Sequence, residues 1–520
     1  MAGSLHKKIG IAAVIMISSV FLSNLIGLFR EMVIAYIGGA GSEVDAYQIS
    51  FLVPEILNHV VASGFLSITF IPIFSGYLVD NQQQRGWQVL SVIFSCFGAF
   101  LILLIVIAGI FTGPIVSLVA PGLQDPVLKA SVIRMTRIIM PAQFFFFGSG
   151  LFMAVQFAKE KFAVPALSPL AYNLGIIAGG VVLGPRLGVE GFSWGVLIGA
   201  VANFVIQCRG ALKQGMKLRI AFEFRHPDLR KYVLQTLPLM LGLSMTFSRE
   251  FFFRFFGSFL AAGTVAGINY GLRIMLIPVA LFGQAVGTAS FPFMARLVAE
   301  KKITELNRLL NTTLRYISLV IPVSVLLIVL RHEVVRILFQ RGKFDASATT
   351  LTAEVLVYLL IGAFALTAYT IVPRAYYAMK DTLFPAIYGT VTVILSVPLY
   401  YFGMQLLGAR GVALALSLSG IMQVTVLYAL WNRRSHNTGS WEVYKIYGKM
   451  MGFAVLMGIF LSWFKSAVLC SIDSATLVGS LTVCIIIGAV FVLILLAVGY
   501  GFKIREITDM TARLTAMLKS

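Results

Sequence analysis

The chain has 520 residues, of which 59% are apolar and only 12% charged, and its mean hydropathy is +0.91. A soluble domain carries about twice that charged fraction, so disorder, a collagen-like fibre and a disulfide-stapled secreted scaffold are excluded, and a polytopic membrane protein remains. The formal charge of +20 comes from 41 Lys and Arg against 21 Asp and Glu, and its meaning depends on where those charges lie. The four cysteines, Cys96, Cys208, Cys470 and Cys484, form no CxxC pair and read as small apolar residues.

Apolar runs of about 20 residues predict spans, in chain order, near 9–37, 44–79, 87–119, 129–157, 165–184 and 189–208. A second set lies near 232–261, 264–295, 309–330, 349–379, 385–406 and 411–431, and a final pair near 446–464 and 474–502, fourteen in all. The first run follows His6-Lys7-Lys8 but continues to about Phe29 with Asn24 inside it, so it is expected to be a retained helix rather than a signal peptide. With the N-terminus inside, the inner loops hold 24 Lys and Arg and the outer loops 8. The positive-inside rule then places both termini in the cytoplasm, and the basic excess is topological rather than a sign of nucleic acid.

The chain repeats itself at a constant shift of 220 residues. Pro72 falls on Pro292, and Gly122 and Asp125 on Gly342 and Asp345. Ala158, Pro165 and Ala166 fall on Ala378, Pro385 and Ala386, while Gly188 and Gly191 fall on Gly408 and Gly411. The expected architecture is an all-α membrane protein with an N-terminal six-helix lobe (1–220), a parallel C-terminal six-helix lobe (221–440) and an additional helix pair with a cytoplasmic tail (441–520). An even number of spans per copy makes the repeat parallel, an arrangement that transporters use to rock two lobes around a substrate.

Charged residues inside spans are costly and face protein or water. The candidates are Arg30, Glu31, Asp45, Glu55, Asn58, His59, Arg134 and Arg137 in the first half, and Arg249, Glu250, Arg254, Arg273, Arg315, Glu354 and Arg374 in the second. Eight arginines against five acids predict a net cationic interior. Glu55, Asn58 and His59 sit at i, i+3 and i+4 beside Pro54, the pattern of a polar stripe on one helix face. Arginine's rigid fork suits phosphate oxygens, which points to an anionic ligand. No P-loop, HExxH, GxSxG or Cys/His metal spacing is present in the sequence, so no enzyme, metal site or cofactor is expected.

The stretch SNLIGLFREMVIAYIGGAGSEVDAYQISFLVPEIL (Ser23 to Leu57), INYGLRIMLIPVALFGQAVGTASFPFMARL (Ile268 to Leu297), LFQRGKF (Leu338 to Phe344) and AYYAMKDTLFP (Ala375 to Pro385) closely resemble the MurJ/MviN family of lipid II flippases. That family belongs to a superfamily with MATE exporters and O-antigen flippases. The resemblance implies a bacterial inner-membrane protein with two lobes around a cationic cavity and a C-terminal pair flanking a groove for a lipid tail. It also implies a cargo of undecaprenyl-pyrophosphate-linked disaccharide-pentapeptide, carried from the inner to the outer leaflet. The family's cavity arginines match Arg30 and Arg273, and its early acidic residue matches Asp45. Where the family usually has arginine this chain has Asn24 and Asn58, and Leu272 replaces an aspartate. Arg134, Arg137, Arg249 or Arg254 then stand as alternative sources of the missing charge.

The expected substrate contacts are Arg30, Asp45, Glu55, Asn58, His59, Arg273 and Arg374, with Arg30 and Arg273 holding the pyrophosphate. The expected partners are an anionic polyprenyl-linked glycolipid and the bilayer. A monomer is expected, with the cell-wall synthesis machinery as a further candidate partner. Asp45, Glu55 and Glu354 are candidates for a coupling cation or proton. A carrier of another polyprenyl-linked saccharide and a MATE-like cation-coupled exporter remain as alternatives.

Overall fold

The computed structural model describes the backbone of residues 2–59, 65–470 and 472–501, so the middle of the second predicted span and the predicted cytoplasmic tail lie outside it. Among the described residues the fold is all-helical, and it divides into two compact units, Met1–Ala266 with Gly342–Phe344, and Gly267–Arg341 with Asp345–Ser520.

The first unit runs through α1 (Ala2–Gly38), α2 (Ser42–Ser50), α3 (Leu52–Leu57), α4 (Phe65–Val79), α5 (Gln83–Ile110) and α6 (Thr112–Val119). It continues with α7 (Pro126–Ile139), α8 (Ala142–Ala158), α9 (Ser168–Leu187), α10 (Glu190–Lys213) and α11 (Pro227–Gly257). Its aromatic core gathers Phe70 and Phe74 of α4, Trp87 of α5, Phe147 and Phe152 of α8 and Tyr232 of α11. In lipid, where apolar surface gains little by leaving the solvent, such interlocking rings hold helices together by close packing. The α9–α10 pair uses the opposite device. A Cβ on Gly175 would lie 2.3 Å from Gly199 Cα and one on Gly179 2.3 Å from Gly195 Cα, so glycines at four-residue spacing let two backbones touch.

The second unit contains α12 (Thr264–Pro278), α13 (Ala285–Ala299), α14 (Ile303–Ile317), α15 (Val320–Val329), α16 (Arg331–Phe339) and α17 (Ala346–Ile361). The first three residues of α12 count with the first unit. Then follow α18 (Ala363–Tyr369), α19 (Val372–Ala378), α20 (Leu383–Arg434), α21 (Ser440–Val468) and α22 (Leu477–Gly501). Leu306, Leu310 and Leu314 of α14 pack with Tyr376, Tyr428 and Trp431. The last two helices are fastened to α15 and α16 by Leu461, Val483 and Ile487, and by a buried pair in which Lys465 Nζ lies 2.8 Å from Glu333 Oε2.

Local chemistry sets the breaks. Asp125 caps α7 by accepting from Val127 N–H ahead of Pro126, and Asp345 caps α17 by accepting from Ala348 N–H. Gly188 ends α9 at φ 58° and ψ −137°, and Gly408 interrupts the 52-residue α20 at φ 57° and ψ −129°. Both conformations are open only to glycine.

Ten helices among the described residues are long and apolar enough to cross a membrane, or eleven if α17 with α18–α19, bent by 51°, counts as one. The expected number was fourteen. The reasons are visible: the runs 385–406 and 411–431 are two helices taken together as α20 across the non-helical Gly408, the run 44–79 is broken into short helices, and the run 232–261 carries side chains outside the described set at 237–248.

Candidate functional site

In the first unit, polar residues from four helices form one network. Arg30 of α1 donates from Nη2 to Glu31 Oε1 at 2.5 Å and from Nη1 to Asn173 Oδ1 of α9 at 2.9 Å. Glu31 is 1% exposed, and its charge also acts on Arg254 of α11. Arg254, 2% exposed, bonds Glu55 of α3 at 2.5 Å and Glu250, one turn before it, at 3.2 Å. Burial this deep is tolerable only because each guanidinium meets carboxylate. The Nε atoms of Arg30 and Arg254 are buried without a hydrogen-bond partner among the described residues, which leaves each fork one unused donor.

These pairs correct the expected charge of this half. Arg30 meets Glu31, and Arg254 meets both Glu55 and Glu250, so these two guanidiniums are matched by three carboxylates rather than left as bare cations. Arg134 and Arg137 do not make up the difference. Both are exposed on α7, where Arg134 pairs with Glu190 at 2.5 Å and Arg137 donates to Gly109 C=O.

Asp45 is 9% exposed, and its two oxygens accept the backbone N–H groups of Gly263 (2.6 Å) and Ala266 (2.7 Å). It therefore satisfies orphan donors at the start of α12 instead of lining a binding surface. Glu55 is taken up by Arg254 and Glu354 by Arg410 at 2.7 Å, so all three acids expected to serve a coupling ion already have partners. The predicted stripe on the second span lies on a helix that passes from α3 into a wider, π-helical turn at Asn58 and His59. Asn58 keeps helical backbone angles, φ −62° and ψ −45°, and His59 Nδ1 lies 2.8 Å from Glu55 C=O one turn before it. Asn173 was not expected; the only sign of it in the sequence is a lone amide in the apolar run 165–184.

Arg273 and Arg374 belong to the second unit. Arg273 is half-buried on α12, one turn after buried Asn269, and this helix reaches α17 through Gly267 and Gly271, whose Cβ positions would meet Leu351 at 3.3 Å and Leu359 at 2.9 Å. Arg374 is half-buried on α19 and passes Gly287 of α13, where a Cβ would lie 3.2 Å from its guanidinium carbon. No Asp or Glu occurs in α12, α13, α18 or α19. Arg273, Arg296 and Arg374 are the charged residues of these four helices.

Residues 34–479 match the family described as "Lipid II flippase MurJ". A relative from Burkholderia cenocepacia, named lipid II flippase MurJ, is 27% identical over 454 residues, covering 85% of this chain and 87% of the relative. Among solved structures, a lipid II flippase MurJ in an inward closed conformation is similar at a TM-score of 0.72 and 24% identity, over 93% of this chain and all of that one. An inward-facing MATE family transporter of the MOP superfamily is similar at a TM-score of 0.64 and 14% identity, over 84% of this chain and 98% of that one. The length of the family match, carried by a helical fold with many membrane-spanning helices, establishes that this chain belongs to the lipid II flippase MurJ family.

Proposed function

We propose that the protein carries lipid II, the undecaprenyl-pyrophosphate-linked peptidoglycan precursor, from the inner to the outer leaflet of the bacterial cytoplasmic membrane by alternating access, with both termini in the cytoplasm. The observation that carries this reading is the family match across residues 34–479. Moving a sugar-pyrophosphate through hydrocarbon would strip water from charged oxygens at prohibitive cost, so the protein's work is to offer polar partners along the way. Arg273 and Arg374, on helices free of acids, supply the main attraction for the pyrophosphate. Arg30, whose side chain keeps 15% exposure beside Glu31, supplements them. The membrane potential assists export of an anion by about 2.3 kcal/mol per charge per 100 mV. Transport of this kind calls for no bond-making chemistry.

The test is rescue of a bacterium depleted of its own lipid II flippase. Growth on this chain supports the reading; lysis despite normal insertion overturns it. The pairing of Arg30 and Arg254 with carboxylates favours one second reading, a carrier of another polyprenyl-linked saccharide, which predicts failure of that rescue together with restoration of a different surface glycan.

A further inference from the structure

A hollow of about 580 Å³ lies on the first unit between α7 and α10, and it shares no residue with the network around Arg30. Arg134, Arg137, Ile138 and Pro141 line it at i, i+3, i+4 and i+7, while Val132, Met135, Thr136 and Ile139 turn the other side of α7 into the core. Trp194 and Leu197, three residues apart on α10, form the facing wall.

Two hydrogen bonds fix its height in the membrane. Arg137 Nε donates at 3.1 Å to the C=O of Gly109, one residue before α5 ends, and Arg134 Nε donates at 2.5 Å to Glu190, the first residue of α10. Both guanidiniums therefore sit where neighbouring helices end, at headgroup level rather than in mid-bilayer. Trp194 lies one turn further in, at the depth where tryptophan belts a bilayer, and Leu197, Ile138 and Pro141 continue toward the hydrocarbon. The same face of α10 goes on exposing Ile198, Val201 and Val205, a stripe suited to acyl chains.

Each arginine spends only its Nε on the protein. The Nη amino groups of both make no hydrogen bond among the described residues, and one carboxylate stands against two cations. Two half-engaged forks above an apolar trough match an amphiphile with an anionic phosphodiester head and hydrocarbon tails. A soluble anion would gain nothing from the trough, and a zwitterionic lipid would bring its own cation toward the arginines.

We propose that this hollow is a specific binding site for an anionic phospholipid, its phosphodiester held by Arg134 and Arg137 and an acyl chain lying along Trp194, Leu197 and Ile138. The orientation proposed above places it in the outer leaflet; the site itself depends neither on that orientation nor on the cargo.

The full chain is placed in phosphatidylcholine discs doped with either brominated phosphatidylglycerol or brominated phosphatidylcholine, whose bromines quench a tryptophan that touches them. The difference between wild type and Trp194→Phe isolates the emission of Trp194. Half-quenching is expected at a mole fraction of brominated phosphatidylglycerol about tenfold below that of brominated phosphatidylcholine. Arg134→Gln with Arg137→Gln should bring the two lipids near parity, and Arg137→Lys, which keeps the charge and loses the fork, should retain part of the preference. Lys129→Gln removes a charge of the same helix outside the hollow and should leave the preference whole. Both arginines are exposed, so the double variant keeps the fold, which its unfolding midpoint checks; should it unfold, Arg134→Gln alone gives the same readout in the same direction. Equal quenching by the two lipids, a preference that survives the arginine variants, or one lost equally in Lys129→Gln overturns the proposal.

Discussion

Gly188 and Gly408, 220 residues apart, hold the same backbone: φ 58° with ψ −137° and φ 57° with ψ −129°. Each sits where two helices fold back on one another, and each fold carries an ion pair at the same shift, Arg134–Glu190 in one unit and Glu354–Arg410 in the other, with the signs reversed. Two further left-handed pairs, Asn81 with Lys301 and Glu160 with Lys380, keep the interval.

Replacing either glycine by alanine forces a side chain into a conformation that disfavours it by about 1–3 kcal/mol. Gly188→Ala and Gly408→Ala are each expected to lower the midpoint of thermal unfolding in detergent. Gly411→Ala is expected to be worse, because its Cβ would fall 1.8 Å from Gly403 C=O. Equal stability of wild type and Gly411→Ala would contradict the packing.

The mirrored ion pairs contribute far less. Arg134 is 63% exposed, and pairs of that kind are worth about 0–1 kcal/mol. Arg134→Ala should leave the unfolding midpoint nearly unmoved, and the exchange Arg134→Glu with Glu190→Arg should fold as well as the wild type.

Arg254 and Glu333 are the opposite case, each 2% exposed and committed to an ion pair. Removing one member of a buried pair costs about 3–5 kcal/mol. Arg254→Ala should reduce the amount of folded protein recovered from membranes, whereas Lys465→Ala should loosen the last two helices selectively, seen as faster proteolysis at residues 472–476, just before α22.

Arg30 and Arg273 are expected to fail differently. Arg30→Ala removes the cation beside buried Glu31, so the loss appears first in protein level, and Arg30→Lys restores it in part. Arg273→Ala should insert at normal levels yet lose at least about tenfold in flipping measured in vesicles. Equal flipping by Arg273→Ala and wild type would remove this arginine from the path of the cargo.

Acid should release the start of α20. Burial raises the pKa of Asp381, but the hydrogen bonds from Arg434 (2.5 Å) and Phe384 N–H (3.1 Å) prevail, and the carboxyl ends below its ordinary value. A depressed carboxyl stabilises the fold above the ordinary range and loses that contribution as pH falls through its folded value. The stability gap between wild type and Asp381→Asn should therefore be full at neutral pH and close below about pH 4.

Much of this was legible in the sequence, since long apolar runs leave helices as the only option in lipid. The shift of 220 singles out Gly188, Gly408, Asp125 and Asp345 in the sequence itself, because glycine conformation and helix capping are local properties. The roles of Asp45, Glu55 and Arg254 were not legible. Their partners lie about 200 residues away, and composition counts charges without saying which carboxylate meets which guanidinium. The hydrogen bond from Asn311 to Asn437 escaped for the same reason: Asn437 lies in the turn after α20, 126 residues on.

The break at Gly408 has a mechanical consequence. At about 1.5 Å per residue, α20 would measure more than twice the hydrocarbon thickness if straight, so its halves double back with a single residue between them. A hairpin with no slack cannot shear or spread, and both arms must travel together in any opening or closing. Bending is left to helices already interrupted, at Gly362 between α17 and α18 and at the widened turn Val279–Gln284.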